Sequence, residues 1–224
     1  MPSASFIAMY KMPYYKETDN EKVMDFMRRH PFAFVTGLGK NNKPVATQLP
    51  LFIDVIEGKI ILSGHLMKKT DHHLAFAENP AILAVFTGPQ SYVSASWYKD
   101  PQSASTWNYM SVHAQGLLKF MDDDALINIL KRTTDHFENN PDSPANFDHL
   151  PADYVQQLSQ AIVAFEIEVT SLDHVFKLSQ NKDKENYTNI ISHLENGDAN
   201  ARMVADEMKK RIDHLFPSTE KLNG

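Results

Sequence analysis

Ala161-Ile162-Val163-Ala164-Phe165-Glu166-Ile167-Glu168-Val169-Thr170 alternates along its whole length. Drawn as an extended chain, it puts Ile162, Ala164, Glu166 and Glu168 on one side and Val163, Phe165, Ile167 and Val169 on the other. The first side is wet or functional; the second is apolar and reads as buried. A strand with two such different faces sets the expectation for the rest of the chain.

Upstream, residues 32–36, 44–56 and 59–63 also read as strands, separated by a turn-rich hairpin loop at 37–43 and a tight turn at Glu57-Gly58. Pro50 marks an edge position or a bulge. Segments 81–86, 92–96 and 108–121 supply further strands, the last two separated by a polar loop at 99–106 that reads as mobile or ligand-gated. Helices punctuate this pattern. Thr18-Asp19-Asn20-Glu21 is a capping box with Thr18 as its N-cap, and Pro31 stops the helix that follows. A short helix spans 71–78 and is broken by Asn79-Pro80. Asp122-Asp123-Asp124 puts negative charge at the positive end of another helix. Segments 183–195 and 199–216 close the chain as two helices. About six or seven strands, joined mainly by hairpins, predict a mainly β (α+β) antiparallel barrel with peripheral helices.

The 224 residues suffice for one large domain, or for one domain with a helical appendage. No apolar run approaches the roughly 18 residues of a membrane span. The start of the chain lacks the basic and apolar pattern of a signal peptide, so a cytoplasmic protein is expected. The absence of cysteine excludes disulfides, thiolate catalysis and zinc–thiolate sites. A formal net charge of -6, with no large basic cluster and no helix-turn-helix pattern, disfavours direct DNA binding, where phosphate contacts dominate.

Three segments could carry chemistry. Gly64-His65-Leu66-Met67-Lys68-Lys69-Thr70-Asp71-His72-His73 lies between a strand end and a helix start, where backbone donors, a hydroxyl and two ammonium groups suit a phosphate. A surface loop with solvated lysines is the plainer reading. Its three histidines do not make a zinc helix, and no metal is expected. The second segment holds both tryptophans, in Ser96-Trp97-Tyr98 and Ser105-Thr106-Trp107-Asn108-Tyr109. Indole faces beside hydroxyls and an amide suit a flat heteroaromatic ligand, although core packing is the usual fate of aromatics. The third, Phe176-Lys177-Leu178-Ser179-Gln180-Asn181-Lys182, presents a cation, a hydroxyl and two amides, or is simply a polar turn. Glu166 and Glu168 read as a solvated face rather than a hydrolytic pair.

Taken together, the chain resembles the PaiB-type FMN-binding negative transcriptional regulators, a branch of the FMN-binding split-barrel superfamily. The resemblance runs from Met9-Tyr10 to about Leu194. It rests on His30-Pro31-Phe32-Ala33, Leu49-Pro50-Leu51, Gly64-His65-Leu66, Phe86-Thr87-Gly88-Pro89, Tyr92-Val93-Ser94, Trp97-Tyr98, Thr106-Trp107-Asn108-Tyr109, Val112-His113, Gly116 and Lys177-Leu178-Ser179-Gln180-Asn181. It implies a six-stranded antiparallel split barrel over 1–180 with a helical insertion at about 122–159, and a helical extension over 181–224. It also implies a homodimer with FMN at the subunit interface. His65 and Lys68, with Lys69 and Thr70 as neighbours, are expected near the phosphate or ribityl chain. Thr106, Trp107 and Asn108 are expected around the isoalloxazine, approached by Lys177, Ser179 and Gln180.

The chain departs from that pattern at four places. Ala95 and Ser105 stand where the family usually has proline, Gln48 replaces a histidine, and Thr70-Asp71 replaces Asn-Pro. Loss of two prolines is expected to loosen the 95–106 loop. The resemblance implies a flavin-binding negative regulator of transcription. An NAD(P)H-dependent flavin oxidoreductase, with His65 or Tyr109 as candidate acids, and a haem-binding split barrel are the alternatives.

Overall fold

The computed structural model describes residues 12–100 and 102–217. Met9-Tyr10, where the resemblance begins, lie outside them. Seven strands form one sheet: β1 (Phe32–Leu38), β2 (Pro44–Pro50), β3 (Phe52–Ile56), β4 (Lys59–Met67), β5 (Ala81–Val93), β6 (Thr106–Phe120) and β7 (Ile162–Lys177), in the order β2-β1-β5-β6-β7-β4-β3. The pairs β1–β2, β1–β5, β3–β4 and β4–β7 are antiparallel. The helices are α1 (Asn20–Arg29), α2 (Asp71–Glu78), α3 (Asp123–Glu138), α4 (Ala152–Ser159), α5 (Lys184–Glu195), α6 (Ala199–Lys209) and α7 (Ile212–Leu215). The fold is mainly β and antiparallel, as expected; its seven strands arise because 44–56 breaks at Leu51 into β2 and β3 while 81–86 and 92–96 join in β5.

The local causes are visible residue by residue. Glu57 (φ 51°) and Gly58 (φ 78°) form a two-residue turn in which both residues are left-handed, and Ile56 faces Lys59 across it. That twist matches the flanking strands. Pro50 ends β2, an outer strand of the sheet, where a missing N–H is tolerated. The oxygen that caps α1 is Asp19's, not Thr18's: Asp19 directly precedes the first helical residue and accepts the Glu21 N–H at 3.0 Å. Asp122 caps α3 by accepting the Ala125 N–H at 2.9 Å.

Segments 81–86 and 92–96 are not separate strands. They belong to β5, and residues 95–97 turn into a short 3-10 helix. Pro89 can sit inside β5 because the paired register with β1 ends at Val85. In β7, Phe165 and Ile167 are buried and Glu168 is exposed, as the alternation requires, but Ala164 on the wet side is also fully buried. Its carbonyl accepts the Met121 N–H at 2.9 Å, so chain covers that end of the face. The strand also runs beyond Thr170 to Lys177.

The chain divides into two compact units: Met1–Val23, Thr87–Val112 and Asp173–Gly224 make one, and Met24–Phe86 and His113–Leu172 make the other. In the first, buried Tyr187, Ile190, Val204 and Met208 belong to α5 and α6, and the Tyr187 hydroxyl donates to the Met208 carbonyl at 3.0 Å. In the second, Leu62, Phe76, Phe86, Phe165 and Ile167 are buried. Gly116 there is a packing necessity, since a Cβ would lie 2.5 Å from the Glu168 carbonyl oxygen and 2.6 Å from Ile167 Cγ2.

Candidate functional site

In the unit containing α5 and α6, the first turn of β6 meets the chain leaving β7. Lys177 ends β7, and its Nζ donates to the Thr106 hydroxyl at 2.5 Å. No carboxylate pairs with Lys177 among the described residues. Partial burial lowers the ammonium's pKa, because the charged form has lost water without gaining a counter-ion. Next along β6, Trp107 is 53% exposed, and its indole meets the Tyr92 ring edge-on at 5.9 Å. Alternation then turns Asn108 inward, where it is fully buried. Its Oδ1 accepts from the Ser179 hydroxyl at 3.0 Å, and its Nδ2 lies 3.4 Å from the Met208 sulfur.

Ser179 sits in left-handed backbone (φ 62°), which turns the chain sharply after β7 and aims its hydroxyl at Asn108. Gln180 stabilises the same turn from within: its Oε1 accepts the Leu178 N–H at 2.7 Å, and its amide donates to the Phe176 carbonyl at 2.5 Å. The structure therefore brings Thr106, Asn108, Lys177 and Ser179 together. It leaves Trp107 presenting an open aromatic face and Gln180 bonded to its own backbone.

His65, Lys68, Lys69 and Thr70 lie in the other unit, at the end of β4 and the start of α2. His65 faces Ala164 of β7 in the register, and burial lowers its imidazole pKa. Lys68 borders a cavity of about 730 Å³ with Ile127, Phe147, Leu150 and Val155, and its Nζ lies 3.5 Å from the Ser159 carbonyl. Lys69 is exposed and left-handed (φ 65°), so the chain turns there into α2. Thr70 is the N-cap of that helix and accepts the His73 N–H at 3.3 Å. Asp71 accepts the His72 N–H at 2.8 Å. Two amides that an anion could have used are thus held by the chain's own oxygens. The aspartate also brings negative charge, and that backbone bond holds its carboxyl below the usual range.

The two departures Ala95 and Ser105 turn out to be partners. The Ala95 N–H donates to the Ser105 hydroxyl oxygen at 2.9 Å. A proline at 95 has no N–H to give, and a proline at 105 has no hydroxyl to receive it. Each residue supplies what the other needs, so a hydrogen bond stands where the family pattern has two prolines. The Lys99 N–H adds a further tie, to Asn186 of α5, at 2.8 Å.

Two residues of the segments named above were not among the expected cofactor-binding residues. Tyr98 is 6% exposed, and its hydroxyl has no hydrogen-bond partner among the described residues. Lys182, five places after Lys177, lies over that ring with Nζ 3.9 Å from its centre. The sequence signal for Lys182 was its place at the end of the Phe176–Lys182 motif. Trp97 stacks on His193 of α5 at 4.9 Å, so the first tryptophan serves helix packing. Tyr109, a candidate acid, is half-buried on β6. Among the described residues no three His, Asp or Glu side chains converge as a metal site.

Comparison with known proteins gives this geometry its context. The family model described as "Putative FMN-binding domain" matches residues 9–171. The match includes His65 to Thr70 and Thr106 to Asn108, and ends before Lys177. The Bacillus subtilis protein named "Protease synthase and sporulation protein PAI 2" is 31% identical over 209 residues, covering 91% of this chain and all of that one. Among solved structures, a conserved hypothetical protein of Mycobacterium tuberculosis superposes with a TM-score of 0.54 at 13% identity, over 78% of this chain and 94% of that one. A FAD and haem binding protein of Mycobacterium smegmatis superposes at 0.52 and 18% identity, over 77% and 78%. At such identities these structures share the fold.

Proposed function

From the premise that the chain belongs to the PaiB-type FMN-binding split-barrel family, we propose that it binds FMN as a homodimer and acts as a negative transcriptional regulator by a flavin-dependent or indirect route. One observation carries the flavin part. Lys177 is a half-buried ammonium held on the Thr106 hydroxyl, with no carboxylate paired to it among the described residues. A cation held on a neutral hydroxyl suits the polar edge of an isoalloxazine, and the exposed indole of Trp107, which alternation turns to the other side of β6, suits a flat face. The donor set therefore fits the cofactor.

In this reading Thr106 and Lys177 hold the polar edge of one ring, and Trp107, on the other side of β6, stacks on the ring bound by the second copy. Asn108, Ser179 and Gln180 position them by fixing β6 against the turn after β7. His65, Lys68, Lys69 and Thr70 serve the phosphate and ribityl end. The ring system supplies redox chemistry when bound; the chain supplies binding and orientation. A second copy is supported by Phe32 and Phe34, alternate residues of β1 that are both exposed. We keep the barrel with its insertion as the flavin-binding part and 181–224 as a helical extension.

The regulatory part takes its support from the resemblance to the PaiB-type regulators, and the indirect route from the net charge of -6. The flavin part is tested by titrating FMN into the full chain and into Trp107→Ala. The variant is expected to bind about tenfold more weakly; equal affinity would remove Trp107 from the site. The indirect route predicts no mobility shift with promoter DNA even at low salt, and a salt-sensitive shift would contradict it.

A further inference from the structure

We propose that the cavity between α3 and α4 is a second ligand site, which takes a small amphipathic carboxylate. Its apolar body lies against Ile127, Phe147, Leu150 and Val155, and its head meets Lys68. These residues line one cavity of about 730 Å³, a size that encloses small molecules. All of them belong to one compact unit.

The need for an occupant lies in α4. Ala152, Val155, Gln156 and Ser159 line the cavity at i, i+3, i+4 and i+7, so one whole stripe of the helix faces it. Yet α4 buries none of its eight residues. A helix that short gains little stability alone and draws it from the packing of one face. Ile127, Phe147, Leu150 and Val155 are only half-buried. A ligand with an apolar body removes this surface from water.

Lys68 selects the charge. Its N–H donates to the Ala161 carbonyl at 2.8 Å, which fixes the residue beside the end of α4. Its Nζ lies 3.5 Å from the carbonyl of Ser159, itself a lining residue, at the outer limit of a hydrogen bond. Half-buried, and without a carboxylate among the described residues, the ammonium keeps donors for a ligand. The two acids on the lining are accounted for. Asp148 pairs with Lys131, and Asp123 sits in the first turn of α3, at the positive end of its dipole. The flavin reading also uses Lys68, at the phosphate end, and a variant that fills the cavity without touching Lys68 separates the two.

Octanoate, with 1-octanol as its uncharged match, is titrated calorimetrically into the full chain, Lys68→Met and Val155→Trp. Lys99→Met, which alters an exposed ion-paired lysine of the other unit, is the control. Circular dichroism establishes that each variant is folded. Octanoate binding is expected to weaken on the order of tenfold or more in Lys68→Met, with octanol binding unchanged. Val155→Trp loses both ligands, and the control binds like the parent. In the parent, saturating octanoate slows amide exchange in α4 on the order of tenfold.

FMN is titrated in parallel. FMN affinity kept by Val155→Trp, with octanoate lost, supports a separate site. Loss of FMN together with octanoate makes the cavity part of the flavin seat and overturns the proposal. A parent that binds octanol as tightly as octanoate, or whose α4 amides octanoate leaves unprotected, overturns it too. A parent that takes up octanoate but no FMN overturns the flavin reading and leaves this site standing.

Discussion

The bond from the Ala95 N–H to the Ser105 hydroxyl is the smallest unit with a consequence of its own. It replaces two prolines by one hydrogen bond, so the two positions should be energetically coupled. Ser105→Ala is expected to cost about 1 kcal/mol in the parent and close to nothing in an Ala95→Pro background, where the N–H is already gone. Equal costs in the two backgrounds, measured by denaturant unfolding, would show that the bond carries no weight. Sequence comparison exposed both departures, but their pairing came from the structure, because ten residues separate them along the chain. The imidazoles give a second test at this scale. Burial lowers the pKa of His65 and His174, and His174 Nε2 accepts the Glu17 N–H at 2.8 Å, which only a neutral ring can do. As pH falls through the ordinary histidine value of about 6.5, the unfolded chain takes up protons that the folded chain resists, so stability drops. The loss levels off once pH passes below the folded values. Melting temperature should therefore fall between about pH 8 and about pH 5.5, and less steeply in His65→Gln/His174→Gln. Parallel profiles would rule these histidines out as the cause.

Among the elements, β6 and the α5–α6 pair matter most for the candidate site, since Asn108 and Met208 link them. The buried Tyr187 hydroxyl, its pKa raised by burial, donates to the Met208 carbonyl. Tyr187→Phe is expected to lower stability by about 1–2 kcal/mol while leaving helix content unchanged. A loss within measurement error would mean that another donor takes its place. On the same strand, Gly116→Ala would drive a Cβ into the backbone of β7 and should cost about 1–3 kcal/mol or more. A stable alanine variant would show that β6 and β7 can separate locally. These elements were unevenly legible beforehand. The turn at Glu57-Gly58, the helix of Asp71–Glu78 and the alternation of β7 could be read because each is specified by its own residues. The continuity of β5 past Gly88-Pro89 could not, because it depends on where β1 stops pairing. The extension of β7 to Lys177 was hidden for a related reason: beyond Thr170 the alternation fades. The inward turn of Asn108 follows from strand periodicity only once β6 is known to begin at Thr106.

For the whole molecule, an acidic chain with a family match over residues 9–171 gathers its aromatic and cationic site residues in strand ends and turns. Which residues belong to the family motif was clear from sequence order. Which of them point outward was not, since Trp107 and Asn108 are neighbours with opposite fates. Purified full-length protein, dialysed against FMN and freed of unbound ligand, should retain the flavin absorbance bands in proportion to chain, with tryptophan fluorescence quenched. Lys177→Met/Trp107→Ala should retain far less. Protein that emerges colourless, with its tryptophan emission unchanged at about millimolar FMN, would contradict flavin binding at this site.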